Sequence, residues 1–134
     1  MATTTNTKYI LNSASGNLLD LRLKYGALSL DGQTATIVGG AGADYVYASA
    51  GTSVDFSGTN GSGAGDALYL DGAKDTFFLT KDGTTLTLTR GADIYKLNYT
   101  STQKLVFTDG SILASDLANG TGALNPAETS LALP

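Results

Sequence analysis

The feature that most limits this chain is the shortness of its hydrophobic runs. Apolar residues alternate with polar ones over three to six positions, and most of the runs stop at or near a glycine. Ala35-Thr-Ile-Val38, Val54-Asp-Phe56, Thr85-Leu-Thr-Leu-Thr89 and Ile94-Tyr-Lys-Leu-Asn-Tyr99 follow this pattern, and about ten such runs can be marked. A period of two sends successive side chains to opposite faces of a strand. Asp31-Gly32, Gly39-Gly40, Asn60-Gly61, Asp71-Gly72, Asp82-Gly83 and Asp109-Gly110 separate the runs with the residues that favour tight turns. No amphipathic pattern lasts three helical turns, and the one modest helical candidate is Ser111–Ala118. The expectation is an all-β fold.

At 134 residues the chain can bury a core of its own. Its low charged fraction, 15% against 42% hydrophobic, argues against a disordered acidic segment. The net charge is −4, and eleven of the twelve acids are aspartate, with Glu128 the exception. Aspartate suits turns and hard cations, so the skew fits either a set of β-turns or a set of calcium loops. Spacing adds a hint of repetition, since Asp44, Asp55 and Asp66 follow one another at equal intervals. One strand plus one turn fits that interval, and two of them fit a two-strand coil. Ordinary hairpins spaced at about 8–12 residues give the same interval.

Several function classes are closed by composition. Cysteine and histidine are absent, which removes thiol nucleophiles, disulfides, imidazole bases and zinc sites built on either. No basic stripe is present to track phosphates, so no nucleic-acid partner is expected. No run approaches the roughly 20 apolar residues of a membrane span, and the first residues lack the pattern of a cleavable signal peptide. Asp71 and Asp75 are a carboxylate pair in an apparent turn with nothing to organise a cleft, so no enzyme is expected.

The most informative segment is Gly39-Gly-Ala-Gly-Ala-Asp-Tyr-Val-Tyr47, which matches the nonapeptide G-G-x-G-x-D-x-U-x with Val46 at the apolar position. Glycines let the backbone turn its carbonyls inward, the aspartate brings charge to a hard cation, and the apolar residue starts a buried strand. Gly61-Ser-Gly-Ala-Gly-Asp-Ala-Leu-Tyr69 looks like a second, degenerate copy, with Asp66 in the acidic place. Lys104-Leu-Val-Phe-Thr-Asp-Gly110 resembles the L-x-F-x-D-G segment found downstream of such repeats.

Together these motifs resemble the repeat-in-toxin family of type I-secreted bacterial proteins, in particular repeat domains of large adhesins and biofilm-matrix proteins. The resemblance implies a β-solenoid or β-roll-like parallel coil with calcium between successive turns. It also implies export without a cleavable leader to the outside or surface of the cell, and a structural or adhesive role. The metal ligands it implies are Asp44 and Asp66, with loop carbonyls around Gly40, Gly42, Gly63 and Gly65; Asp55 and Asp71 are additions. The sequence departs from a strict roll, because Asp44 and Asp66 lie further apart than two nonapeptides would set them.

The expected layout is a Thr-rich polar arm over 1–8, a solenoid-like domain over 9–118, and a C-terminal tail or docking segment over 119–134. Strand edges at solenoid ends stack unless capped, so the expected partner is a second copy or a neighbouring repeat. An alternative is a carbohydrate- or ice-binding module. It would use a tyrosine face, such as Tyr45 and Tyr47, or the threonine face of Thr85, Thr87 and Thr89.

Overall fold

Burial follows the alternation. Along Thr85–Arg90 the leucines Leu86 and Leu88 are buried while the threonines between them are half-exposed, and along Asp93–Asn98 the buried residues are Tyr95 and Leu97. A computed structural model describes residues 5–11, 17–20, 33–39, 44–48, 52–56, 66–91, 93–99 and 104–130. Its strands are β1 (Thr5–Leu11), β2 (Asn17–Asp20), β3 (Gln33–Gly39), β4 (Asp44–Tyr47), β5 (Thr52–Phe56) and β6 (Ala67–Tyr69). They continue as β7 (Phe78–Asp82), β8 (Thr85–Arg90), β9 (Asp93–Asn98), β10 (Lys104–Phe107) and β11 (Gly110–Leu113). One short helix, α1 (Ala114–Asn119), follows. The fold is all-β.

The strands form two sheets. One has six strands in the order β1-β3-β5-β9-β8-β7, and the other has five in the order β11-β10-β6-β4-β2. From β1 to β6 the chain places each successive strand in the opposite sheet, and neighbours within a sheet run parallel. β9 and β10 extend the same parallel rows. Both sheets are nevertheless mixed, since β7 and β8 form an antiparallel hairpin beside β9 and β11 folds back antiparallel on β10. A uniformly parallel coil is therefore not what the chain forms. In the β7–β8 hairpin two residues, Gly83 and Thr84, join paired Asp82 and Thr85, and Gly83 takes the positive φ of 60° that such a tight turn needs.

Inward side chains of the two sheets meet in one core. Val54, Tyr95 and Leu88 stand side by side across the six-stranded sheet, and Val46, Leu68, Leu105 and Ile112 across the other. Phe77 reaches this core beside Tyr95 and Phe107, with ring centroids 5.9 and 5.7 Å away. Burying rings and leucines of this size contributes roughly 1.5–3 kcal/mol each.

Two expectations change. Thr5–Lys8 belong to β1, paired in parallel with Gln33–Thr36, rather than to a separate arm. Threonine is β-branched and strand pairing uses backbone groups, so a polar run can still serve as a strand. Ser111–Leu113, inside the helical candidate, are strand; the helix starts only at Ala114.

The downstream motif has a physical account. Leu105 and Phe107 are fully buried, the carboxylate of Asp109 accepts the Lys74 N–H at 3.1 Å, and the Gly72 carbonyl accepts the Thr108 N–H at 3.0 Å. Gly110 lets the C-terminal segment approach: a Cβ there would stand 2.8 Å from Leu124 Cβ and 3.0 Å from the Asn125 carbonyl. That segment bonds back through Ser111 and Asn125, whose backbone groups pair at 3.1 and 2.8 Å. Lys104 Nζ grips both oxygens of Glu128 at 2.7 and 2.9 Å. No helix among the described residues is long and apolar enough to cross a membrane.

Candidate metal site

Register brings the two motif aspartates together. Tyr45 pairs with Ala67 in parallel, so Asp44, at the head of β4, lies beside Asp66, just ahead of β6. The stretch between them is one complete excursion from the five-stranded sheet to the six-stranded one and back. Asn17 occupies the matching position on β2, so the backbone sets Asn17, Asp44 and Asp66 in one column at this corner.

Both aspartates are fully buried. The Asp44 N–H donates to Asp66 Oδ1 at 2.9 Å, and the Asp66 carbonyl accepts the Lys104 N–H at 2.8 Å. Asp66 is thus fixed from both sides. Its second oxygen, Oδ2, is buried and has no hydrogen-bond partner among the described residues.

Such an atom is costly, because a buried carboxylate oxygen has lost its water and gained nothing. The charge is affected accordingly. Burial pushes the Asp66 carboxyl up from 3.8 to about 6; the Asp44 N–H opposes this and the nearby Asp44 carboxylate adds to it. A group in this position is relieved by a proton or by a cation. Carboxylate oxygen suits a hard divalent ion such as calcium, which takes six to eight oxygen ligands.

Other expected residues are not brought here. Asp55 lies on β5 in the other sheet, beside Lys96. Asp71 accepts from Arg90 Nη2 at 2.7 Å, and that guanidinium also stacks 4.6 Å over Phe77. Asp55 is thus set in the other sheet and Asp71 is engaged by Arg90. Gly40, Gly42, Gly63 and Gly65 lie outside the described residues. Among the described residues no group of three or more acidic, histidine or cysteine side chains could hold an ion. Two carboxylates would need backbone carbonyls to complete a coordination shell.

Aromatic side chains gather on the outer face of the five-stranded sheet. Tyr69 meets Tyr47 edge-on at 4.4 Å and Tyr45 at 6.3 Å, and Tyr47 is nearly buried. Burial, followed by Tyr47, Glu128 and Tyr45, pushes the Tyr69 hydroxyl up to about 12. Sequence reading missed Phe78, which is 79% exposed. The signal was present, since in the pair Phe77-Phe78 a strand must turn one ring outward.

No protein-family model, curated protein or solved structure matches the chain.

Proposed function

We propose that this chain is an extracellular structural or adhesive module of the repeat-in-toxin type, stabilised by calcium at the Asp44–Asp66 corner. The alternation of β1 to β6 between two sheets, resumed by β9 and β10, supports reading the parallel part as an irregular β-roll. Thr5, Gln33 and Thr52 occupy equivalent places, so one turn of that roll runs from Thr5 to Gln33 and a shorter one from Gln33 to Thr52. The β7–β8 hairpin is then an insertion between turns.

One observation carries the reading: the aspartates of two repeat-like segments stack fully buried, and Asp66 Oδ2 has no hydrogen-bond partner among the described residues. A calcium ion there would be held by Asp66 and Asp44, with the loop carbonyls that the sequence motif implies around Gly40, Gly42, Gly63 and Gly65 completing the set. It would tie one turn to the next where the backbone bond from Asp44 already does. The role is non-catalytic. Export by a type I-like route and assembly of copies into a surface layer or biofilm-matrix fibre complete the proposal. Calorimetric titration of the metal-free chain with calcium chloride tests it. Saturable binding, lost in Asp66→Asn, is the expected result; heats no larger than dilution would refute the metal.

A further inference from the structure

The outward face of the six-stranded sheet carries a pattern that the metal reading does not use. With Val54, Tyr95 and Leu88 committed to the core, their strand neighbours must point away from it. Pairing then sets the outward residues in rows. Asp55 stands beside Lys96, Lys96 beside Thr87, and Thr87 beside Thr80. In the next row Ile94 stands beside Thr89, and Thr89 beside Phe78.

Two observations separate this face from an ordinary solvated one. Phe78 is 79% exposed and Ile94 42% exposed, at opposite ends of a hydroxyl-bearing row. A phenylalanine left so exposed forgoes much of the roughly 1.5–3 kcal/mol that burial supplies, and a ligand covering it would recover that. Between β5 and β9 there is also an open depression of about 140 Å³, lined by Ser53, Asp55, Ile94 and Lys96. Ser53 is held in place there, its Oγ accepting the Ile94 N–H at 2.9 Å.

We propose that this face binds a neutral, extended glycan of the β-1,4-linked ribbon type. Phe78 offers its ring to the C–H face of one sugar, and the hydroxyls of Thr80, Thr87 and Thr89 exchange hydrogen bonds with sugar hydroxyls. Asp55 and Lys96 bond the far end at the depression. The distance from β7 to β5 is three inter-strand steps, about 14 Å, which suits about three sugar rings laid flat. Among the described outward residues of these strands Asp55 and Asp82 outweigh Lys96, so the face has no positive field that would favour a polyanion. A largely hydroxyl surface with two apolar anchors is too polar for a stable protein interface core. The charged pair and the two apolar side chains also interrupt the threonine array that ordered water would need.

The test is depletion of the folded protein from solution by microcrystalline cellulose and by chitin, with cellohexaose and chitohexaose titrations alongside. Wild type is expected to be retained by at least one polymer. Phe78→Ala and Thr87→Lys should each weaken retention about tenfold or more. Tyr45→Ala, on the other sheet, should bind like wild type. Both variants change side chains outside the core, so unchanged melting temperatures certify their folds; if one fails to fold, the other decides. No retention on either polymer overturns the proposal, as does retention unaffected by the two variants. Inhibition of ice recrystallisation without glycan retention overturns it as well, and assigns the face to water.

Discussion

Asp66 concentrates the chemistry of this protein because its environment opposes its charge. Its folded pKa, near 6, lies above the value of about 3.9 expected in an unfolded chain. The folded state therefore holds the proton more tightly than the unfolded one. Ionised Asp66 costs free energy above about pH 6, and that cost is gone below about pH 4. Metal-free protein is expected to melt at higher temperature at pH 5 than at pH 7, with the difference removed in Asp66→Asn. Asparagine keeps an oxygen for the Asp44 N–H and carries no charge. Glu128 sets a second, opposite window. Burial raises its pKa, but bonds from Lys104 and Ser111 outweigh burial and hold it below its ordinary value. Its contribution is present above the unfolded value near 4.3 and is lost as pH falls through the lower folded value. A scan from pH 7 downward should thus show stability rising before acid unfolding begins; a monotonic fall from pH 7 would contradict the Asp66 account.

Among the elements, the corner between β10 and β11 joins the sheet to the C-terminal segment. Gly110 has a φ of 149°, and Leu124 and Asn125 pack where a side chain would stand. Gly110→Val should destabilise the fold by about 2 kcal/mol or more, through overpacking, and release the Ser111–Asn125 pairing. Hydrogen exchange at the amides of Ser111 and Asn125 would report that release; unaltered protection would show that the segment does not depend on the glycine. At this scale the sequence was readable in part. Leu86, Leu88, Tyr95 and Leu97 announce their strands by alternation, and Asp82-Gly83 announces its turn. The Thr-rich start of β1 carries no apolar alternation and so reads as an arm. The hairpin stays in the six-stranded sheet instead of crossing to the other, and Phe77, just ahead of it, packs against Tyr95 and Phe107. Asp82-Gly83 encodes the turn itself, but no local signal says which sheet the hairpin joins. The site was legible as two aspartates at equivalent motif positions. Their contact through the Asp44 amide, and the exclusion of Asp55 and Asp71, depend on which sheet each strand joins.

For the whole molecule, the sheet edges bear on assembly. Among the described residues β1 and β7 are the two outer strands of the six-stranded sheet, and all of β7 is exposed. Lys81, whose ammonium lies 5.6 Å from the Tyr99 ring centroid, puts a charge on that edge, which discourages pairing there. Growth by stacking is therefore expected to be weak or to need calcium. Sedimentation and negative-stain microscopy should show larger species or filaments with calcium; a monomer at high concentration in both conditions would count against the fibre. Calcium at the corner remains the central claim, and thermal melting across a calcium titration tests it most directly. A ligand that binds only the folded state adds about 2.7 kcal/mol at a hundredfold excess over its Kd. Wild type should gain on the order of 10 °C, and Asp66→Asn should gain nothing. An unchanged melting temperature at millimolar calcium, or an equal rise in Asp66→Asn, would contradict the account.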